Sequence, residues 1–274
     1  MPEFKKKFLF TDLDDTLLNK NKEITSENRA AINIALSAGH KIVLSSGRPL
    51  CTILPVAEKL ELDIPGCYII CFNGSMIYDC GAGKPIFVNP VSQGDASYVF
   101  KAAKKAGIHV HTYDDDGLVT PELNKEIDWY EERTGIEIKL DPNLPETLTW
   151  DPVKVIFLEI EDHDRLEAFK QQLMPWAEGK VDLFYSGPEL LECVSKGMSK
   201  GAAVKWLVEY LGGHMENTVA AGDAENDIPM LQAAAIGCAM KNATDACKAA
   251  ADYITENDCE NSGVAEIIRN FIIN

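Results

Sequence analysis

The 274-residue sequence has no C-x-x-C pair, no run of 18 apolar residues and no basic stretch beyond Lys5-Lys6-Lys7. Each absence narrows the function. Without a long apolar run there is no candidate for a membrane-spanning helix, so no membrane partner is expected. Basic charge is scarce: 26 Lys and Arg stand against 43 Asp and Glu, a net charge of −17. Such a balance argues against nucleic acid as a partner. The three lysines read as a solvated lead-in to the first strand. Eight cysteines are present, at 51, 67, 71, 80, 193, 238, 247 and 259. The spacing of Cys67, Cys71 and Cys80 does not suit zinc, and the set reads as small buried hydrophobes in a reducing compartment. No apolar signal-like stretch follows the lysines, so a cytoplasmic location is expected. Repeats and low-complexity segments are absent too.

What the chain does have is a costly acidic cluster. Asp12-Leu13-Asp14-Asp15-Thr16 follows Phe8-Leu9-Phe10-Thr11, a short apolar run that reads as a buried strand. Acids at i and i+2 of an extended segment point to the same side and repel. They require a cation, or one must hold a proton.

The flanking sequence alternates strand and helix. A helix opens near Thr25-Ser26 and stops at Gly39; Lys41–Ser45 is the next strand; Pro49 begins a second helix that Pro55 is expected to break or kink; Tyr68–Phe72 is the third strand. The pattern returns near the other end, with a helix at Ala202–Leu211, strands at Thr218–Ala221 and Ile236–Met240, and a helix at Ile228–Ala234. Alternation of this kind implies a parallel sheet with helices on both faces. The expectation is an α/β protein: a Rossmann-like parallel-sheet core made of residues 1–83 and 196–274, interrupted by an α/β cap domain at 84–195. A domain reached by two chain crossings can hinge as a lid.

Ligands of open parallel sheets bind beyond the carboxyl ends of the strands, which assembles a candidate site. Asp12 and Asp14 end the first strand. Ser45-Ser46-Gly47-Arg48 ends the second, with small residues that let backbone N–H groups approach an anion. Lys200 opens a helix. Gly222-Asp223-Ala224-Glu225-Asn226-Asp227 ends another strand, and Asp227 has the position of an N-cap. Asp12, Asp14 and Asp223 call for a hard divalent cation with oxygen ligands; Ser46, Lys200 and backbone amides would neutralise phosphoryl oxygens. The combination is that of a phosphoryl-transfer site.

These motifs resemble the haloacid dehalogenase superfamily, and specifically its Cof-type hydrolases with a large α/β cap. Asp12-Leu13-Asp14-Asp15-Thr16 is similar to the D-x-D-x-T motif, Ser46-Gly47-Arg48 to the second motif and Lys200-Gly201 to the lysine motif. Gly222-Asp223 with Asn226-Asp227 resembles the acidic fourth motif; Asn73-Gly74 resembles a further Cof-type signature. Asp15 stands where such proteins often carry Gly. The resemblance implies that Asp12 is the nucleophile, forming an aspartyl-phosphate. Asp14, protonated at the outset, would serve as general acid and then base. Mg²⁺ would be held by the Asp12 carboxylate, the Asp14 backbone carbonyl and Asp223, with Asp227 behind that shell. Ser46, Gly47, Arg48 and Asn226 would contact phosphate or leaving group, and Lys200 the phosphoryl oxygens.

The reaction expected is Mg²⁺-dependent hydrolysis of small phosphorylated metabolites, sugar phosphates first, by a monomer or homodimer. Phosphosugar mutase or phosphotransferase activity is the enzymatic alternative, and a non-catalytic phosphometabolite sensor the other. Elsewhere, His109 and His111 lack a third metal ligand and read as sheet residues, and Asp114-Asp115-Asp116-Gly117 reads as a charged turn.

Overall fold

The computed structural model describes residues 6–114 and 116–273. Lys5 of the basic run and Asp115 of the acidic turn lie outside the described residues. In chain order the strands are β1 (Phe8–Thr11), β2 (Lys41–Ser45), β3 (Cys67–Cys71), β4 (Met76–Asp79), β5 (Lys84–Val88), β6 (His109–Tyr113), β7 (Leu118–Thr120), β8 (Ile138–Leu140), β9 (Val155–Leu158), β10 (Val181–Gly187), β11 (Leu190–Ser195), β12 (Thr218–Gly222), β13 (Ile236–Ala239) and β14 (Tyr253–Ile254). The helices are α1 (Ser26–Ser37), α2 (Leu50–Lys59), α3 (Gln93–Ala106), α4 (Lys125–Thr134), α5 (His163–Ala177), α6 (Lys200–Tyr210), α7 (Ile228–Ala233), α8 (Asp245–Ala250) and α9 (Gly263–Ile267).

Two compact units result, Met1–Phe87 with Ser199–Asn274, and Val88–Met198. The crossings fall a few residues beyond 83/84 and 195/196. At the first, β5 is an edge strand of the first unit's sheet. At the second, Lys196 N–H donates to the Lys180 carbonyl and Gly197 N–H to Asp182, which keeps both residues with the second unit.

In the first unit, eight strands run in the order β14-β13-β12-β1-β2-β3-β4-β5. Every pair from β14 to β3 is parallel. The edge adds a hairpin to this parallel core: β4 lies antiparallel to β3. Only Phe72–Ser75 separate those strands, and a parallel return needs a crossover of a dozen residues or more. Thus β1 sits at the centre, with β2 and β12 on its two sides. The chain winds from β1 towards β3 in one direction and from β12 towards β14 in the other. That reversal opens a crevice at the carboxyl end of β1. Leu9 and Phe10 of β1 are wholly buried, so Asp12 follows directly from the core.

Pro55 does not break α2, which runs on to Lys59. The ring removes one helical hydrogen bond, and burial of Ile53 and Ala57 in the core outweighs that loss.

The second unit is a six-stranded sheet ordered β10-β11-β9-β6-β7-β8, antiparallel except for β7 and β8. Val110, Val155 and Phe157 pack with Phe100 of α3 and Phe169 of α5 in its core. Alternation places His109, His111 and Tyr113 on the opposite face. There the Tyr113 and Tyr130 hydroxyls are 2.6 Å apart, and Lys154 pairs with Glu192 at 3.2 Å. Burial pushes His109 down to about 4, so both that imidazole and the fully buried His111 are neutral, as sheet residues should be. Asp114 accepts from the Asp116 and Gly117 amides, closing the charged turn.

Candidate active site

Asp12 continues β1 by one more sheet bond, its N–H donating to the Ala221 carbonyl at 2.9 Å. This fixes the Asp12 side chain beside the end of β12. Lys200, in the first turn of α6, reaches in from the helix that Ser199 caps. Its Nζ lies 2.5 Å from Asp12 Oδ1 and 2.5 Å from Asp227 Oδ1. All three side chains are buried, Lys200 and Asp227 almost completely. Residues 188 positions apart thus meet because both sit at the carboxyl edge of one sheet.

Asp227 has an N-cap position but does not cap α7 with its side chain. One carboxylate oxygen accepts from Lys200 instead, and the other accepts from the Asp223 and Ala224 amides at 3.0 and 3.1 Å. The lysine and the loop amides outcompete the cap because they form charge-assisted bonds in a buried place. Gly222 is required here: a Cβ would lie 2.4 Å from that of Asp227. Asp223 accepts from the Thr16 hydroxyl at 2.7 Å, which joins the first motif to the fourth.

Carboxylate oxygens of Asp12, Asp223 and Asp227 all lie within 4.8 Å of one another. Three acids then share one ammonium. Burial pushes the Asp12 carboxyl well up, with Lys200 opposing and Asp227 adding to the rise. Asp223 is pushed up to about 6, by burial first and by the Asp227 charge. Burial works against the charge on Lys200, yet Asp12 and Asp227 hold it above the ordinary lysine range. The donor set is all oxygen and short of positive charge, which fits a hard divalent cation.

Asp14 differs from its expected state. Its carboxylate lies outside the acidic cluster; Arg48 grips it with Nε at 2.7 Å and a second guanidinium nitrogen at 2.5 Å, and Lys22 Nζ adds a contact at 2.7 Å. Burial raises the Asp14 carboxyl, but the bonds from Arg48 and Lys22 prevail and hold it below the usual carboxylate range. Asp14 is therefore ionised in this arrangement, not protonated, and of the first-motif pair it is Asp12 whose carboxyl is pushed up. Nothing in the sequence pointed to Lys22, which stands eight residues on in a loop.

The remaining motif residues fall into place around this cluster. Asp15 adopts φ 55°, a left-handed conformation that Asp tolerates and Gly adopts freely. Its carbonyl accepts from Asn242 at 2.7 Å. Ser46 is buried, and its hydroxyl accepts from the Arg48 amide at 3.2 Å. Asn226 donates to Asn73 at 3.2 Å. A Cβ on Gly47 would press on the Asn73 carboxamide at 3.0 Å. Among the described residues no helix is long and apolar enough to cross a membrane.

Residues 9–268 match the haloacid dehalogenase-like hydrolase family. The chain belongs to that family. It is 32% identical over 267 residues to the 5-amino-6-(5-phospho-D-ribitylamino)uracil phosphatase of Bacillus subtilis, covering 97% of this chain and 96% of the relative. The pyridoxal phosphate phosphatase of Escherichia coli is 31% identical, with 96% of this chain and 97% of that one covered. Among solved structures, a haloacid dehalogenase-like hydrolase from Bacteroides thetaiotaomicron superposes with a TM-score of 0.89 at 31% identity, over 97% of this chain and 99% of that chain. The family is one of enzymes, and this member is a phosphatase of the Cof type. Its α/β architecture is that of the solved relative.

Proposed function

We propose that the protein hydrolyses small phosphorylated metabolites, sugar phosphates above all, with Mg²⁺ and through an aspartyl-phosphate. The observation that carries this reading is the buried Asp12–Lys200–Asp227 contact at the end of β1, with Asp223 beside it. The relatives' names, a ribityl phosphate and pyridoxal phosphate, pair the same family with small phosphate monoesters.

Asp12 attacks phosphorus, forming one P–O bond as the bond to the leaving oxygen breaks. Lys200, Ser46 and the Gly47 amide hold the phosphoryl oxygens. Asp14 gives a proton to the leaving oxygen and later takes one from the attacking water, so Arg48 and Lys22 must first release it. Both cations are then free to meet phosphate or leaving group, which keeps Arg48 and Asn226 in the substrate-binding set. Asp12, Asp223 and the Asp14 carbonyl would hold the cation, with Asp227 orienting Lys200 and the Asp223 loop. Bound there, Mg²⁺ supplies the charge that neutralises the acids and polarises the phosphoryl group.

The deciding experiment is a panel of sugar phosphates, nucleotides, flavin and pyridoxal phosphates with Mg²⁺, reporting kcat/KM and free phosphate. Stoichiometric phosphate release supports hydrolysis. Transfer of the phosphoryl group to a second sugar hydroxyl would replace hydrolysis by phosphotransfer, and no turnover on any ester would sink the reading.

Metal dependence has a pH signature. Burial and the Asp227 charge push Asp223 up to about 6, above its unfolded value of about 3.9. Between those values the folded state binds more protons than the unfolded one. The contribution of Asp223 to metal-free stability therefore falls as pH rises from about 4 to 6. A divalent cation binds the ionised form, so the rise in melting temperature caused by Mg²⁺ should grow across that window. A Mg²⁺ effect that is flat from pH 4 to 7 would remove Asp223 from the ligand set.

A further inference from the structure

The turn after β3 holds three consecutive residues at positive φ: Phe72 at 51°, Asn73 at 54° and Gly74 at 104°. Asparagine tolerates this conformation, but for phenylalanine it is strained backbone, and such strain persists only where the surroundings over-determine it. The surroundings here are the three other motif loops. Phe72 N–H donates to the Arg48 carbonyl and Asn73 N–H to the Ser46 carbonyl, each at 3.1 Å. The Asn73 carboxamide lies against Gly47 and accepts from Asn226 Nδ2 at 3.2 Å. Gly74 meets the lysine motif: a Cβ there would lie 2.3 Å from the carbonyl oxygen of Ser199, the residue that caps α6 ahead of Lys200.

One buried turn thus touches the phosphate loop, the helix that carries Lys200 and the acidic loop. We infer that Asn73 is a positioning residue that locks the Ser46-Gly47-Arg48 loop to the Asn226 end of the acidic loop. The inference rests on the phosphatase reading and adds a residue to it. The left-handed turn places the carboxamide over Gly47; the bond to Asn226 then sets the distance between the groups that hold the phosphoryl oxygens and the acids that face them. Asn73 is only 4% exposed, so its carboxamide is packed in place.

Asn73→Gly tests it, because glycine accepts the left-handed conformation while the carboxamide is lost with the side chain. The expected protein melts with wild type, and its kcat/KM falls about 10²-fold, the cost of a small misplacement of reacting groups. Inorganic phosphate should inhibit it more weakly. Asn226→Ala should lose at least as much, since it removes a substrate-binding side chain as well as this bond, and the double variant should be no worse than Asn226→Ala, because the Asn73 carboxamide acts through that bond. Asn73→Asp keeps the acceptor and tolerates the same backbone, so kcat should recover while KM rises from the added negative charge. It also carries the test if Asn73→Gly fails to fold. Wild-type kcat/KM in Asn73→Gly, losses that multiply in the double variant, or kcat in Asn73→Asp no better than in the glycine variant would each overturn the inference. Turnover by the wild-type protein is the control. Its presence with an unchanged Asn73→Gly removes this inference alone; its absence removes the phosphatase reading and the inference with it.

Discussion

Asp12→Asn should abolish turnover and yet melt no lower than wild type in the presence of a chelator. The loss of activity follows from the proposed role: without the nucleophile no aspartyl-phosphate forms, and the fall should reach at least ~10²–10⁴-fold, the contribution of one well-placed catalytic group. The unchanged stability follows from charge. Wild type places three carboxylates within 4.8 Å of one another against a single ammonium. Burial already pushes the Asp12 carboxyl upward, which says that its charge is held at a cost. Asparagine removes that charge and keeps the shape. Lys200 is not stranded, because Asp227 remains 2.5 Å from its Nζ. The same variant should gain less from Mg²⁺ than wild type does, having lost one ligand. Phosphate release together with calorimetry in EDTA and in Mg²⁺ reads all three. Wild-type turnover would refute Asp12 as nucleophile; a large drop in the chelator melt would mean that Asp12 stabilises the cluster instead of straining it.

How far these residues could be read in advance depended on what each one answers to. Asp12, Ser46, Lys200 and Asp223 were legible because a parallel sheet delivers strand ends to one edge, whatever the separation in sequence. Apolar runs at β1, β2, β3 and β12 mark those ends by themselves. Of the two tasks expected of Asp227, the N-cap one failed, because a cap is a local preference and Lys200 arrives from 27 residues away. The state of Asp14 was illegible for a related reason. Its protonation is set by Arg48 and Lys22, and Lys22 belongs to a loop with neither period nor motif. The β3–β4 hairpin hid behind the expectation of continued alternation, although Asn73-Gly74 is a turn signal in its own right. Local rules carried strands and turns; buried charge pairs needed the assembled fold.

Lys200→Met should be the most damaging substitution in the cluster, and unlike Asp12→Asn it should cost stability. Methionine has nearly the volume of the lysine stem, so packing in a wholly buried site changes little. The charge change is severe. Asp12 and Asp227 would face each other with Asp223 nearby and no counterion, and breaking a buried ion pair by removing one partner costs about 3–5 kcal/mol. The melting temperature should fall by roughly 10 °C in chelator, given the few degrees per kcal/mol of a domain this size. Turnover should vanish with it, since the phosphoryl oxygens lose their fixed cation. Raising Mg²⁺ should recover part of the stability and none of the rate, because a cation at the carboxylates replaces the charge and not the Nζ position. In an Asp12→Asn background the same substitution should cost less, one of the two buried partners of Lys200 being neutral already. Equal losses in both backgrounds would show that Asp12 and Lys200 act independently, and the pairing at the end of β1 would no longer account for the site.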